Sequence, residues 1–284
     1  METQGQHGTT TKLSGPAPMP GQAFELVSLG YVEEEFLLSG DATSFGLTGH
    51  RSSDGKWQVE PHRQTPFVTR LIVRRPQTRA QFSGTVFVEW NNVSGGIDAS
   101  PDWTLLHRHL ARRGHAWVGV TAQKVGVDGG GVVEGLHLKK ISPERYRELI
   151  HPGDAWSFDV FSQAGKILRT PTWSPLEPFT PARLIAIGES QSAMYLVTYI
   201  NAIDSIAKVY DGFFVHGRGS AGAPFDGAGI VRRGADLAAR LRDAPVERIR
   251  EDVRVPVLVL QSETDVVSLG GGLPCQPDSE RLRV

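Results

Sequence analysis

From residue 85 onward, short apolar runs alternate with stretches of helical periodicity, and this alternation limits the fold more than any other feature of the chain. The runs are Thr85–Trp90 (TVFVEW), residues 116–121 (AWVGVT), 183–187 (RLIAI), 211–215 and Val257–Leu260. Each reads as a strand, and Thr85–Trp90 as one covered on both faces. Between them, residues 102–113 place Trp103, Leu106 and Leu110 on one side and stop at Gly114, a natural C-cap. Residues 154–168, with Asp154 as N-cap, residues 191–202 and a charged stretch over roughly 235–250 also read as helices. Strand and helix in turn predict an α/β fold with a mostly parallel central sheet, helices on both faces and right-handed crossovers. Upstream, residues 31–38 and 66–74 read as strands, with a turn-rich stretch at 40–55. Ligands bind at the carboxyl ends of strands in such sheets. Three loops therefore matter most: 91–96, 188–192 and 262–267.

A length of 284 residues suits one large domain or two small ones. Residues 1–22 are polar and lack the apolar segment of a secretory signal. They read as a flexible tail before a domain of residues 23–284, with the cytoplasm as the expected location. Residues 123–152, with Gly126, Gly129, Gly130 and Gly131, read as a lid or insertion rather than a second domain. Thirty Lys and Arg against 31 Asp and Glu leave a formal charge of -1, which argues against nucleic acid or a membrane surface as partner. The lone cysteine, Cys275, leaves no internal disulfide and no multi-cysteine metal site. His107 and His109 are two apart and do not share a helix face, so no metal site is expected.

Chemistry concentrates at Gly188-Glu189-Ser190-Gln191-Ser192, where an apolar strand runs into a helix. A serine on such a sharp turn needs small residues two before and two after it, here Gly188 and Ser192. The usual pattern has glycine at the last position, so Ser192 is a mild departure. The turn lifts the Ser190 hydroxyl to a helix N-terminus, where a developing anion is favoured. Ser190 is the candidate nucleophile, and the Gln191 N–H a candidate oxyanion donor. The loop after Trp90 is placed to supply a second donor, with Asn91 and Asn92 as candidates, although an Asn/Gly turn explains it equally well. Losing one such donor typically removes about 3–4 kcal/mol of transition-state stabilisation. A carboxylate just past a buried strand can orient a histidine. Asp265 is the first choice for it, with Glu263 as the alternative.

VFVEWNNVSGG (86–96), IGESQSA (187–193), DGFFVHGRG (211–219) and VLVLQSETDVV (257–267), in that order, resemble the α/β-hydrolases, in particular bacterial alpha/beta hydrolase domain-containing proteins. The resemblance implies an α/β-hydrolase fold from about residue 25 onward. It also implies cleavage of a carboxylic ester or related acyl bond through an acyl-serine, on a small-molecule substrate and without a cofactor. Triads of this fold run serine, acid, histidine. Yet the nine histidines all lie between His7 and His216, and none follows Asp265. A truncated gene, an incomplete sequence or a decayed enzyme would each give this pattern, so feeble activity at best is expected. The alternative is a catalytically inactive binding module. His216, just past a strand, is the candidate substitute base. Gly217-Arg218-Gly219-Ser220-Ala221-Gly222 also fits a dinucleotide-binding pattern, but Ala223-Pro224 follows instead of a helix. Trp90, Trp103 and Trp156 could line an acyl pocket or be core.

Overall fold

In a computed structural model, residues 8–18, 26–172, 174–228 and 244–284 are described. Nine strands form one sheet: β1 (Thr9–Leu13), β2 (Tyr31–Leu47), β3 (Val59–Pro76), β4 (Thr85–Trp90), β5 (Ala116–Val120), β6 (Arg183–Glu189), β7 (Gly212–His216), β8 (Val257–Leu260) and β9 (Leu282–Arg283). Their spatial order is β1-β2-β3-β5-β4-β6-β7-β8-β9. The first four neighbours, β1 to β5, pair antiparallel, and from β5 to β9 every pairing is parallel.

Seven helices join the strands among the described residues: α1 (Pro101–Arg112), α2 (Lys124–Asp128), α3 (Leu138–Ile141), α4 (Ser157–Ile167), α5 (Gln191–Thr198), α6 (Asp204–Ala207) and α7 (Glu263–Ser268). None is long and apolar enough to cross a membrane. A π turn, Tyr199–Ile203, links α5 to α6. One face of the sheet buries Trp90, Phe158, Phe161, Tyr195, Tyr199 and Tyr210 against α4 and α5. On the other face Ile72, Trp103, Leu110, Trp117 and Ile187 pack under α1. Two-sided burial explains why β5 contains no exposed residue and reads as a continuous apolar run. Trp90 and Trp103 are fully buried core, not pocket lining.

Several expectations need correction. The expected flexible tail contains β1, which pairs with β2 from Thr9↔Ser39 to Leu13↔Glu35. Edge strands are short and polar, and this one is largely exposed, so no apolar pattern announces it. The first half of the expected turn over 40–55 is strand, since β2 continues to Leu47 around a bulge between Thr43 and Phe45. Gly40 lies inside it because a side chain there would meet the Gln163 Oε1 at 2.7 Å. Of the charged helix expected over 235–250, residues 235–243 lie outside the described residues, and 244–250 form no helix. Asp154 does not cap α4; its carboxylate accepts other donors, described below. Gly114 does close α1's turn at φ +67, and a Cβ there would stand 2.0 Å from the Gln81 carbonyl oxygen.

The segment 123–152 packs against β2 and β3. Val127, Leu138, Tyr146 and Leu149 form a small cluster with Leu37, and Ile150 bridges to Val68 of β3. A buried ionic cluster fastens the same region. Arg70 reaches Asp98 Oδ2 at 2.6 Å and Glu35 Oε1 at 3.4 Å, and the Tyr146 hydroxyl donates to Glu35 Oε1 at 2.7 Å.

Candidate active site

β6 ends at Glu189 and α5 begins at Gln191, so Ser190 alone makes the reversal between them. It does so at φ +57, ψ −117, in a region that a residue with a side chain enters only at a cost of about 1–3 kcal/mol. Its N–H donates to the His216 carbonyl at 2.8 Å, and its own carbonyl accepts the Met194 N–H at 3.3 Å. The turn closes on small residues, as expected: a Cβ at Gly188 would sit 3.2 Å from the Ser192 Cβ. Gln191 occupies the first position of α5, where a helix leaves its N–H groups without intrahelical partners.

The loop after β4 is tied shut by its own polar groups. The N–H of Asn91 donates to the Val120 carbonyl at 3.1 Å, that of Asn92 to the Ala99 carbonyl at 2.8 Å, and that of Ser94 to Asn92 Oδ1 at 2.9 Å. The two asparagine side chains turn inward. Asn91 Nδ2 donates to Asp98 Oδ2 at 2.9 Å, and Asn92 Nδ2 to the Glu189 carbonyl at 2.9 Å. Both asparagines are buried and must satisfy their amides locally, so the side-chain oxyanion donors expected at Asn91 and Asn92 are committed elsewhere. The Val93 N–H donates across to Gln191 Oε1 at 3.4 Å, a longer bond than those of Asn91, Asn92 and Ser94. Nothing in residue type singles out Val93, since a backbone N–H leaves no mark there.

His216, at the end of β7, pairs in register with Glu189 and is half-buried. Its Nδ1 lies 2.9 Å from Asp102 Oδ1. Asp102 is fully buried in the first turn of α1, and its Oδ2 has no hydrogen-bond partner among the described residues. Glu89 holds that turn in place: it accepts the Asp102 N–H at 3.0 Å, the Trp103 N–H at 2.9 Å and Trp117 Nε1 at 2.8 Å. The hydrogen bond that His216 makes to Asp102 pushes the His216 pKa above its ordinary value, against the opposing effect of burial. Burial first, then the Asp102 charge, pushes the Glu189 carboxyl up. Asp102 escapes sequence reasoning because 114 residues separate it from His216.

Asp265 lies close by but is engaged. Its Oδ2 accepts the Ser262 N–H and the Ser262 hydroxyl, both at 2.7 Å, which closes a capping box on α7. A Cβ at Gly217, the residue after His216, would be 3.2 Å from each Asp265 oxygen. Ser190, His216, Asp102, Glu189 and Asp265 therefore gather at one end of the parallel strands. Glu263 is exposed on the first turn of α7. In the 217–222 loop the buried Arg218 turns its guanidinium onto the carbonyls of Gly219, Ser220 and Glu247, and the described residues that follow, 223–228, form no helix. No group of three His, Cys, Asp or Glu among the described residues is placed to hold a metal ion.

The family described as "Alpha/beta hydrolase domain" matches residues 3–284. No curated protein matches. Similar solved structures include a fungal esterase from Rhizomucor miehei, 13% identical over 84% of this chain and 69% of that one, with a TM-score of 0.42. A serine hydrolase without a lid from Xanthomonas campestris is 13% identical over 78% and 70%, with a TM-score of 0.38. A glucuronoyl esterase from Teredinibacter turnerae is 12% identical over 92% and 63%, with a TM-score of 0.40.

Proposed function

Because the chain belongs to the alpha/beta hydrolase domain family, we propose that it is a serine hydrolase that cleaves a small carboxylic ester through an acyl-serine on Ser190. The observation that carries this reading is the left-handed backbone of Ser190 between strand and helix. Such strain persists only where the surroundings over-determine it, and it recurs where a side chain must be presented to a ligand. In the reaction the Ser190 Oγ bonds to the ester carbonyl carbon, and the carbonyl π pair moves onto oxygen. The Gln191 and Val93 N–H groups are the donors for that oxyanion. The serine proton passes to His216 Nε2, directly or through one water, while Asp102 on Nδ1 holds the ring and stabilises the imidazolium. When the tetrahedral adduct collapses, the ester C–O bond breaks and the alcohol leaves with that proton. Water repeats the sequence on the acyl-serine and releases the acid.

Labelling by a fluorophosphonate, with the adduct located by mass spectrometry, tests the nucleophile. The reading predicts an adduct at Ser190, and no adduct in the intact protein would refute it. The base has its own signature. A histidine acts as base only when neutral, and Asp102 raises the His216 pKa. Activity should therefore climb with pH through a midpoint above the ordinary imidazole value of about 6.5. Asp102→Asn should move the midpoint down and lower the plateau. A profile that ignores Asp102 would remove His216 from the mechanism. The same shift bears on stability: the His216–Asp102 charge pair favours the folded state below the unfolded pKa, and that contribution fades as pH rises through the folded one.

A second reading, a hydrolase-fold binding module without turnover, is favoured by one observation. Among the described residues no histidine is hydrogen-bonded to the Ser190 hydroxyl.

A further inference from the structure

A buried chain of amides runs away from the Val93 N–H, and its polarity is fixed at the far end. Val93 donates to Gln191 Oε1 at 3.4 Å, and Gln191 Nε2 donates to Gln123 Oε1 at 2.7 Å. Gln123 Nε2 in turn donates to Asp154 Oδ2 at 3.1 Å. Asp154 also accepts the Tyr195 hydroxyl on Oδ2 at 3.1 Å and the Lys124 N–H on Oδ1 at 2.9 Å. Gln123, Gln191, Asp154 and Tyr195 are all buried.

Either glutamine could flip by itself, since its two ends differ little in shape but are opposite in hydrogen-bonding sense. Here neither is free to do so. A carboxylate only accepts, so Asp154 draws the NH2 of Gln123 towards itself. An indole only donates, and Trp90 Nε1 donates to the other end of Gln123, its Oε1, at 3.2 Å. With Gln123 set, Gln191 must offer its NH2 to Gln123 and its carbonyl to Val93. The relay thus joins the loop after β4, the segment after β5, the turn before α4 and the first turn of α5.

We infer that Asp154 and Gln123 are positioning residues: they hold the Gln191 side chain so that the Val93 and Gln191 N–H groups face one oxyanion. This rests on the serine-hydrolase reading above. The bond to be exchanged is the longest in the relay, so the Val93 N–H can leave Gln191 Oε1 for a substrate oxygen while the other bonds stay in place. Val93 itself is not disturbed by the exchange, because the loop on either side of it is fixed by Asn92 and Ser94.

The test compares substitutions that remove hydrogen bonds at different points of the same network. Asp154→Asn keeps the shape but offers a single acceptor oxygen to three donors that now share two, which loosens the hold on Gln123. Tyr195→Phe removes a donor and leaves the polarity intact. Gln123→Met breaks the relay without altering Asp154, and decides the matter if Asp154→Asn does not fold. Asp154→Asn and Gln123→Met should lower kcat for p-nitrophenyl acetate about tenfold or more at nearly unchanged KM, the loss expected from a misplaced oxyanion donor. They should weaken inhibition by a trifluoromethyl ketone, whose adduct carries the oxyanion, by a similar factor. Tyr195→Phe should leave both within about twofold at a comparable loss of Tm. Amide exchange at Val93, read by NMR, should quicken in the first two variants and not in the third. Equal kcat losses in all three at matched Tm, or unchanged kcat and unchanged Val93 exchange in Asp154→Asn and Gln123→Met, would overturn the inference. A wild type that neither turns over nor labels refutes the serine-hydrolase reading instead, and the Val93 exchange still reports whether the relay exists.

Discussion

Ser190→Ala is expected to abolish fluorophosphonate labelling and to lower kcat for p-nitrophenyl acetate to the residual that binding and the oxyanion donors alone sustain. A complete serine triad loses about a million-fold when its nucleophile is removed, while an oxyanion hole and binding alone retain about 10³–10⁴ over water. The starting rate therefore carries as much information as the loss. A robust wild-type rate that falls with both Ser190→Ala and His216→Ala makes His216 the base. A wild-type rate only slightly above background, insensitive to His216→Ala, supports the binding-module reading. A robust rate that survives Ser190→Ala sinks the proposed mechanism altogether. The alanine variant should fold at least as well as the wild type, because the Ser190 contacts found here run through its backbone.

The largest loss of stability should follow Arg70→Met. Arg70 is fully buried between Glu35 and Asp98, and both carboxylates are equally buried. Arg145 completes Glu35, while Asn91 and Thr121 complete Asp98. Methionine fills much of the same volume but leaves Asp98 in the interior without a cation and Glu35 with Arg145 alone. Removing one partner of a buried ion pair typically costs about 3–5 kcal/mol, because the remaining charge has lost its compensation. Urea unfolding should show that loss as a lower midpoint at an unchanged slope. A shift below about 1 kcal/mol would mean that water reaches the cluster, as it does at exposed pairs. Asp98 also holds Asn91, so the damage should extend to the loop beside Ser190.

The parallel half of the sheet is legible in the sequence because its strands are short continuous apolar runs, and Thr85–Trp90 and Val257–Leu260 match their predicted bounds; two-sided burial accounts for the run in β4 and β5, whereas Leu258 and Leu260 of β8 are exposed. The antiparallel half is less legible. β1 is an edge strand with few apolar residues, and β2 carries glycines that mimic a turn. The turn at Ser190 is legible for a local reason: strand, small residue, serine and helix all lie within a few positions. What surrounds it is not. The contact between His216 and Asp102 joins two distant segments, and neither residue's neighbours hint at the other. Asn91 and Asn92 have the right chemistry for donors in the right loop. Only the fold reveals that Asp98 and Glu189 already hold their amides. Asp265 reads as a free acid from its place after a strand, but its own helix has claimed one oxygen.

The backbone at Ser190 also sets two selection pressures against each other. Glycine adopts φ +57 without steric penalty, so Ser190→Gly should raise Tm, by the equivalent of about 1 kcal/mol once the extra freedom of the unfolded chain is deducted. A library of this protein sorted only for resistance to heat would thus be drawn towards glycine at position 190 and would discard the hydroxyl in the process. Sorting for turnover would pull the other way. The position at which the chain gives up stability most readily is the one at which a thermal screen and an activity screen should disagree first.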